Sequence, residues 1–366
     1  MTTIGLPELL GFVTAVFTRR GVPPERASAA AAALLHGDLT GMSSHGLANL
    51  TRLYLPLLDS GRADPAADPR TLTDAGAIVH LDAARTLGLW SAGAAADLAV
   101  ARAAAYGIGM VSVRGMTHIG CAGAHTLRIA ERGMVGLIAT NCGRQRIARP
   151  PGGRVAMLGT NPLSVAAPAG DHPPFVLDMS TTVVPTGRVR AAARAGDPVP
   201  AGWLATDCGT PVTDPGAFDR GEAHLQWLGG RPETGAYKGF GLALAVEVLS
   251  ALVSGSGRGP DPEALDGDGG PSGRDDDIGM IVLAIAPGVL RAPEDVHADA
   301  GALFGSLLDC PPSGDLAVRY PGWHEAERAA RCRAEGVPLS PQLYEELKQL
   351  AAAENLAMPG AVGVAG

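Results

Sequence analysis

Apolar residues recur at helical spacing through "PELLGFVTAVFTRRG" (7–21), which ends on Gly21, and the alanine-driven run "PPERASAAAAALLHG" (23–37) opens on two prolines. Both patterns predict helices, the second ending at His36 and Gly37, because proline suits a first helical turn and glycine a last one. A third helix is predicted over "LWSAGAAADLAVARAAAYG" (89–107), followed at once by the β-type run "IGMVSV" (108–113). The alternation continues with a helix over "GAHTLRIAERG" and strands at "VGLIAT", "FVLDMS" and "IGMIVLAIAP". This order predicts an α/β fold.

"YKGFGLALAVEVLSALVSG" (237–255) is apolar almost all round, which predicts a long helix buried on most sides. The stretch from 255 to 277 then breaks every period with glycine, aspartate and proline, and reads as a flexible surface loop. Two helices close the chain, "HEAERAARCRAEG" and "SPQLYEELKQLAAAE", the latter with Ser340 as N-cap and Pro341 in its first turn.

At 366 residues the chain exceeds a comfortable single core, so two subdomains or one large mixed unit are expected. A formal net charge of -8 without runs of Lys or Arg argues against nucleic acid as a partner, since phosphate binding needs clustered positive charge. No apolar stretch is long enough for a bilayer and no secretory leader pattern is visible, so no membrane partner and a cytoplasmic location are expected. Charged residues are 18% of the chain, below the usual quarter, which leaves fewer charges to cover a monomer and hints at a homo-oligomer. Cys121, Cys142, Cys208, Cys310 and Cys332 form an odd set without CxxC spacing, which predicts free thiols.

The chain has no GxGxxG, no GxxxxGK[ST] and no GxSxG, so ordinary Rossmann, P-loop and α/β-hydrolase sites are not expected. In "HIGCAGAH", His118, Cys121 and His125 could be metal ligands, but the spacing fits no common zinc pattern and no metal is expected. The glycines around His118 instead allow a ligand to approach the backbone at a strand-to-helix turn. Asp178, ending an apolar strand, needs a histidine, a cation or backbone N–H groups, or else serves as an N-cap for the next segment. Lys238 opposes the dipole at the start of its helix, which an anionic ligand would explain, although a solvated lysine is the plain alternative. "GMSSHGLANL" (41–50) sets His45 either as an incidental polar residue or as a proton-transfer group.

"GDLTGMSSHGL", "THIGCAG", "LGTNPLSVAAP", "LDMSTTVVPTGR", "GWLATDCGTPVTDP" and "YKGFGLALAVEVL" occur in the order seen in the malate/L-lactate dehydrogenase family, and the resemblance spans nearly the whole chain. The resemblance implies an atypical, non-Rossmann NAD(P)-binding α/β fold. It divides the chain into a mainly helical terminal and dimerisation domain (1–73 with 310–366) and a cofactor-binding domain (74–309). It also implies a homodimer or larger assembly, a small-molecule substrate, and NADH or NADPH as cofactor. By similarity, His45 is the proton donor for reduction of a 2-oxo acid C=O, or a cyclic imine C=N, with Ser44 and Asp178 as a relay. His118 matches a second histidine that some members use as the base. Thr160, Asn161 and Pro162 resemble a substrate and nicotinamide contact; Gly120, Asp178, Met179, Ser180, Lys238, Gly239, Pro321 and Gly322 resemble cofactor-binding stretches. A family member without turnover, acting as a ligand-binding or structural protein, is the alternative of another class.

Hydrolysis by Ser44, His45 and Asp178 is rejected, because adjacent Ser and His make the nucleophile-to-base geometry difficult. Several positions depart from the family's pattern. Asn49 stands where an arginine usually grips the substrate carboxylate, and Arg52, one turn on, is a candidate replacement. Gly115, Met116 and Thr117 replace more polar residues before His118, which predicts a less polar pocket. Met280 and Ala286 stand where histidine and aspartate are usual. Arg188 and Arg190 could meet a cofactor 2′-phosphate or be solvated charges.

Overall fold

The first two helical patterns pack on each other as α1 (Leu6–Arg19) and α2 (Pro24–Thr40) in the computed structural model, which describes residues 2–362. α1 buries Leu9, Phe12, Val13, Val16 and Phe17, its 3.6-period stripe. The chain's far end completes this core. β12 (Val337–Leu339) pairs antiparallel with β1 (Thr2–Ile4), and α10 (Trp323–Glu335) and α11 (Pro341–Ala353) bring Ala329, Cys332, Leu347 and Ala351 into it. Ser340 caps α11 as expected, accepting a hydrogen bond from the Leu343 N–H at 3.2 Å. The short α3 (Leu55–Asp59), entered through a single π-helical turn at Leu50–Tyr54, contributes Tyr54, Leu55, Leu57 and Leu58.

α2 runs past the expected stop at His36 and Gly37 and ends at Thr40, where Gly41 takes the left-handed conformation (φ 87°). Gly37 is therefore inside the helix, and its reason is close approach. A Cβ there would lie 2.7 Å from the Gly46 nitrogen and 2.8 Å from the His45 carbonyl carbon, so its absence lets the Ser44–His45–Gly46 backbone rest on α2.

A seven-stranded sheet forms the centre: β2 (Arg70–Ala75), β3 (Ile78–Asp82), β4 (Ile108–Met116), β11 (Ile278–Ile285), β5 (Val135–Thr140), β6 (Leu163–Ala169) and β7 (His172–Met179), in that spatial order. Only β3 and β4 run parallel; the other neighbours are antiparallel. The central strand β11 is apolar on both faces because both are covered. Met280, Val282 and Ala284 face α4 (Gly88–Tyr106), whereas Ile281 meets Val246 of α8 (Ala236–Glu247). Met280 is thus a core residue. α5 (Ala122–Ala130) lies on β5 and β6, and α9 (Pro293–Leu308) covers β6 and β7.

The sequence patterns did not foresee a third layer. β8 (Leu204–Ala205), β9 (Pro211–Val212) and β10 (His224–Leu225) make a small sheet that shares a core with α6 (Thr186–Ala195) and α7 (Gly216–Asp219). Its strands are two residues long, too short for a period-2 signal. This layer brings α6 against the Ser43–His45 turn.

Two expectations are corrected. α8 and the helical turns after it are not buried on most sides: Ala236, Gly239, Ala243, Val246, Glu247, Ser250 and Ala251 face inward, while Tyr237, Leu242, Leu244, Val248, Leu252 and Val253 are exposed. The 255–277 stretch has little regular structure, but it is more than a surface loop. Arg146, itself buried, reaches Asp261 at 2.7 Å; Arg149 donates to the Gly269 carbonyl at 2.9 Å; and Arg62 holds Asp275 and Asp276 at 2.6 Å each. Buried arginines need acceptors for their N–H groups, and this stretch provides them.

Candidate active site

Ser44 and His45 occupy a short 3-10 turn (Ser43–His45) between the Gly41 cap and the π-helical turn. The turn is pinned from both sides. Asp38 accepts the Leu47 N–H at 2.7 Å, and Asn49 donates its amide to the Ser44 carbonyl at 2.8 Å. Within it the Ser44 hydroxyl meets His45 Nδ1 at 3.0 Å. A hydroxyl both donates and accepts, so His45 keeps this partner whether its ring is neutral or protonated.

His118 faces His45, with ring centroids 5.7 Å apart and planes 26° from parallel. Its own Nδ1 is differently held. The Gly120 N–H donates to it at 3.1 Å, and the hydroxyl of fully buried Tyr54 lies 2.9 Å away. An amide N–H can only donate, so this Nδ1 is the unprotonated acceptor and His118 carries its proton on Nε2. Protonating Nδ1 would set two hydrogens against each other. The two histidines are therefore chemically unequal: one ring can change its proton count and the other is locked.

Both line a cleft of about 860 Å³, together with Ser44, Asn49, Arg52, Gly120, Asn141, Cys142, Gln145, Thr160 and the first turns of α6. Met116 and Thr117 point away from it: Met116 joins the sheet core, and Thr117 donates to the Thr86 carbonyl and accepts from the Gly88 N–H. A smaller pocket of about 320 Å³ lies apart, between α2, α4 and α5, and holds His36 and His125.

Burial lowers the His45 pKa to about 4, with the His118 ring adding to the effect, and burial likewise lowers that of His118, opposed by Asp275. Both rings are neutral at neutral pH. Asp38 is pushed the other way, to about 7, by burial that the Leu47 N–H and Arg328 only partly offset.

The other expected residues fall into three groups. Gly120 and Thr160 line the cleft. Asp178 accepts the Gly123 N–H at 2.7 Å, and burial raises its pKa to about 6; Pro321 receives the Val176 N–H at 3.0 Å and Gly322 packs on Val176. The end of β7, the start of α5 and the start of α10 thus form one strip beside the cleft, with Met179 and Ser180 at its end. No hydrogen bond joins Asp178 to Ser44 or His45 among the described residues; the hydroxyl and the imidazole pair directly. Thr181, next to Ser180, donates to the Thr160 carbonyl at 2.9 Å, and Leu228 links Thr181 to Gly239 through bonds of 3.0 and 3.1 Å. Lys238 is exposed beside this junction. Asn161 turns inward, fully buried, giving its amide to Glu247 at 2.8 Å and to the Ala243 carbonyl at 3.0 Å. It shapes the turn that presents Thr160. Arg52 lines the cleft, but its guanidinium is paired with Glu346 at 2.8 Å.

Tyr54, Asp38, Asp275, Gln145 and Arg328 also belong to the site, and the sequence patterns passed over them. Asp38 had a signal, a carboxylate inside an apolar helix. Tyr54 had none, since it reads as one more apolar residue. His118, Cys121 and His125 do not converge: His125 donates Nε2–H to the Ile119 carbonyl at 2.9 Å. Among the described residues no group of His, Cys, Asp and Glu could hold a metal ion, and no helix is long and apolar enough to cross a membrane.

Comparison with known proteins places the whole chain in a family. The sequence profile of the malate/L-lactate dehydrogenases matches residues 4–348. The chain is 38% identical over 248 residues to a malate dehydrogenase of Pyrococcus horikoshii, covering 68% of each chain. It is 31% identical over 348 residues to a (2R)-3-sulfolactate dehydrogenase (NADP(+)) of Chromohalobacter salexigens, covering 95% of this chain and 98% of that one. The crystal structure of malate dehydrogenase from Entamoeba histolytica superposes with a TM-score of 0.89 at 27% identity, covering 98% of this chain and all of the other. The paired histidines, the cleft and the glycine-lined strip thus sit in a chain that belongs to the malate/L-lactate dehydrogenase family.

Proposed function

We propose that this protein is an NAD(P)H-dependent reductase of a 2-oxo acid or a closely related carbonyl compound, working reversibly, with His45 as proton donor and acceptor. The observation that carries the reading is the inequality of the two cleft histidines. Ser44 can serve His45 in either protonation state, whereas the Gly120 N–H fixes His118 as a neutral Nε2–H donor.

In the reductive direction His45 supplies a proton to the substrate oxygen as negative charge develops there. His118 offers its Nε2–H as a fixed hydrogen-bond donor to that oxygen, the arrangement by which a preorganised dipole stabilises an oxyanion. In the reverse direction neutral His45 accepts the hydroxyl proton, and its depressed pKa keeps the free enzyme ready for that task. Reduction needs His45 protonated, so a bound carboxylate nearby must lift its pKa by Coulomb attraction.

The strip beside the cleft fits a dinucleotide. Gly120 and Gly322 hold positive φ (76° and 96°), and the first-turn N–H groups of α5 and α10 that Asp178 and Glu325 do not already engage are of the kind that suit a pyrophosphate. When bound there, NAD(P)H supplies the hydride. Gly120, Asp178, Met179, Ser180, Pro321 and Gly322 would hold it, with Thr160 at the cleft end, and Lys238 and Gly239 beyond the Thr181 junction. Paired binding measurements with NADH and NADPH test which of the two cofactors is preferred.

The exposed apolar face of α8, Tyr237 to Val253, supports a homodimer or larger homo-oligomer, since a chain with few charges gains by burying such a face. The test of the function is NADH and NADPH oxidation across 2-oxo acids, ketones and cyclic imines. Turnover of imines alone would move the assignment to imine reduction, and failure to bind either cofactor would overturn it in favour of a non-catalytic role.

A further inference from the structure

A 2-oxo acid in this cleft brings a carboxylate that must be matched by a cation, because an unpaired charge leaving water costs several kcal/mol. Asn49, beside the Ser44–His45 turn, has no charge, and its amide is already given to the Ser44 carbonyl. Five arginines line the cleft: Arg52, Arg188, Arg190, Arg194 and Arg328. Arg52 is paired with Glu346, Arg190 is forked onto Asp219 at 2.8 Å, and Arg328 leans on the Asp38 carbonyl at 3.4 Å. Arg188, Arg194 and Arg328 have no ion-pair partner among the described residues, but Arg328 is held beside Asp38, whose carbonyl it meets and whose buried carboxyl feels its charge. Arg194 sits near like-charged Arg52, in the last turn of α6.

Arg188 differs in two ways. It is in the first turn of α6, and the preceding residue, Gly187, packs directly on Ser44: a Cβ at 187 would lie 3.0 Å from the Ser44 Cβ. The Arg188 guanidinium carbon lies 5.0 Å from the centroid of the Trp203 ring, a cation–π contact that steadies the side chain without using its N–H groups on a carboxylate. We propose that Arg188 is the substrate-carboxylate anchor of this enzyme. The cation stands on the α6 wall of the cleft, across Ser44 from Asn49, and decides which substrates are held with their carbonyl beside His45. The proposal rests on the 2-oxo acid reading of the site.

The test is steady-state kinetics of the full-length protein with pyruvate and longer 2-oxo acids, comparing the unaltered enzyme with R188A, R188K, and the exchange variant N49R/R188A. R188A should raise KM roughly 10- to 100-fold, with a smaller change in kcat, as expected for losing one charge-assisted fork. R188K should recover part of this, and placing arginine at 49 in the R188A background should recover more, since it returns a cation to the neighbourhood of Ser44 from the opposite wall. Cofactor affinity separates the other source of negative charge: if R188A weakens NADPH binding and leaves NADH binding and the oxo-acid KM unchanged, Arg188 serves the 2′-phosphate and the proposal is wrong. An unchanged KM with both cofactors also overturns it. Absence of turnover by the unaltered enzyme on every 2-oxo acid would instead remove the functional reading, and the anchor with it.

Discussion

Replacing His45 by alanine tests the inequality of the two histidines most directly. A positioned general acid contributes roughly 10²- to 10⁴-fold, so turnover should fall by that factor, equivalent to about 2.7–5.5 kcal/mol of barrier. The fold should persist, because His45 is only half-buried and its one side-chain partner, the Ser44 hydroxyl, is half-buried too. His118→Ala is the contrasting variant. It strips the acceptor from the Tyr54 hydroxyl and the Gly120 N–H, and each orphaned buried donor costs about 1–3 kcal/mol of stability. Its turnover falls as well, by the loss of a fixed donor, so the drop in rate alone does not separate the two. The pH profile does.

In the oxidative direction, kcat/KM reports the base of the free enzyme. With His45 depressed to about 4, activity should stay level from neutral pH downward and fall only as pH approaches that value, well below where an ordinary histidine would protonate. In the reductive direction kcat/KM should decline as pH rises above the same value, since the free enzyme must take up a proton. His118→Ala should keep these limbs, whereas His45→Ala should lose them. The measurement is kcat/KM against pH in both directions, with cofactor binding followed by fluorescence. A His45→Ala enzyme within about threefold of the parent, or one that retains the pH limb, would refute the assignment and return the role to His118.

Gly37→Ala should lower both melting temperature and turnover, because its new Cβ meets the Gly46 nitrogen at 2.7 Å and overpacking of this kind costs about 1–3 kcal/mol; calorimetry with a rate assay checks it. Leu252, 70% exposed on the helical turn after α8, should tolerate arginine in a monomer, so L252R should leave secondary structure intact and reduce the mass seen by light scattering if that face joins two copies. Asp38 keeps its proton up to about pH 7 in the folded chain but only to about 3.8 when unfolded, so its contribution is fully present below pH 3.8 and is lost as pH rises to 7, about 4 kcal/mol in all. D38N escapes this loss while keeping an acceptor for Leu47, so relative to the parent it should gain more stability at pH 8 than at pH 4, read from denaturant midpoints.

Much of the architecture was legible because periodicity is local. The stripe of α1, the N-cap at Ser340 and the apolar runs of β4, β5 and β11 each follow from a short local window of chain. The failures came where distant chain decides. Gly37 looks like a helix end until the His45 turn is seen lying on it, and α8 looks buried because an apolar residue that faces solvent has the same letters as one that faces the sheet. At the site, the ordered motifs pointed to His45, His118 and Thr160, which line one cleft. They could not find Tyr54, which acquires its role only by reaching His118 across 64 residues of chain. Nor could they show that Arg52 is engaged by Glu346, 294 residues away.

The positions around Ser44 show how a substrate carboxylate can be held although residue 49 is an asparagine. Ser44 is touched from one side by the Asn49 amide, on the helical core, and from the other by Gly187, on the small-sheet layer. These two bodies have separate cores, and the cleft lies between them. A cation at 49 would hold the substrate on the same body as His45. A cation at 188 makes the carboxylate a bridge between α6 and the histidine turn, so that binding draws the walls together while its charge raises the His45 pKa. Substrate recognition and proton loading then become one event, and a substrate without the carboxylate would leave His45 neutral and reduction slow.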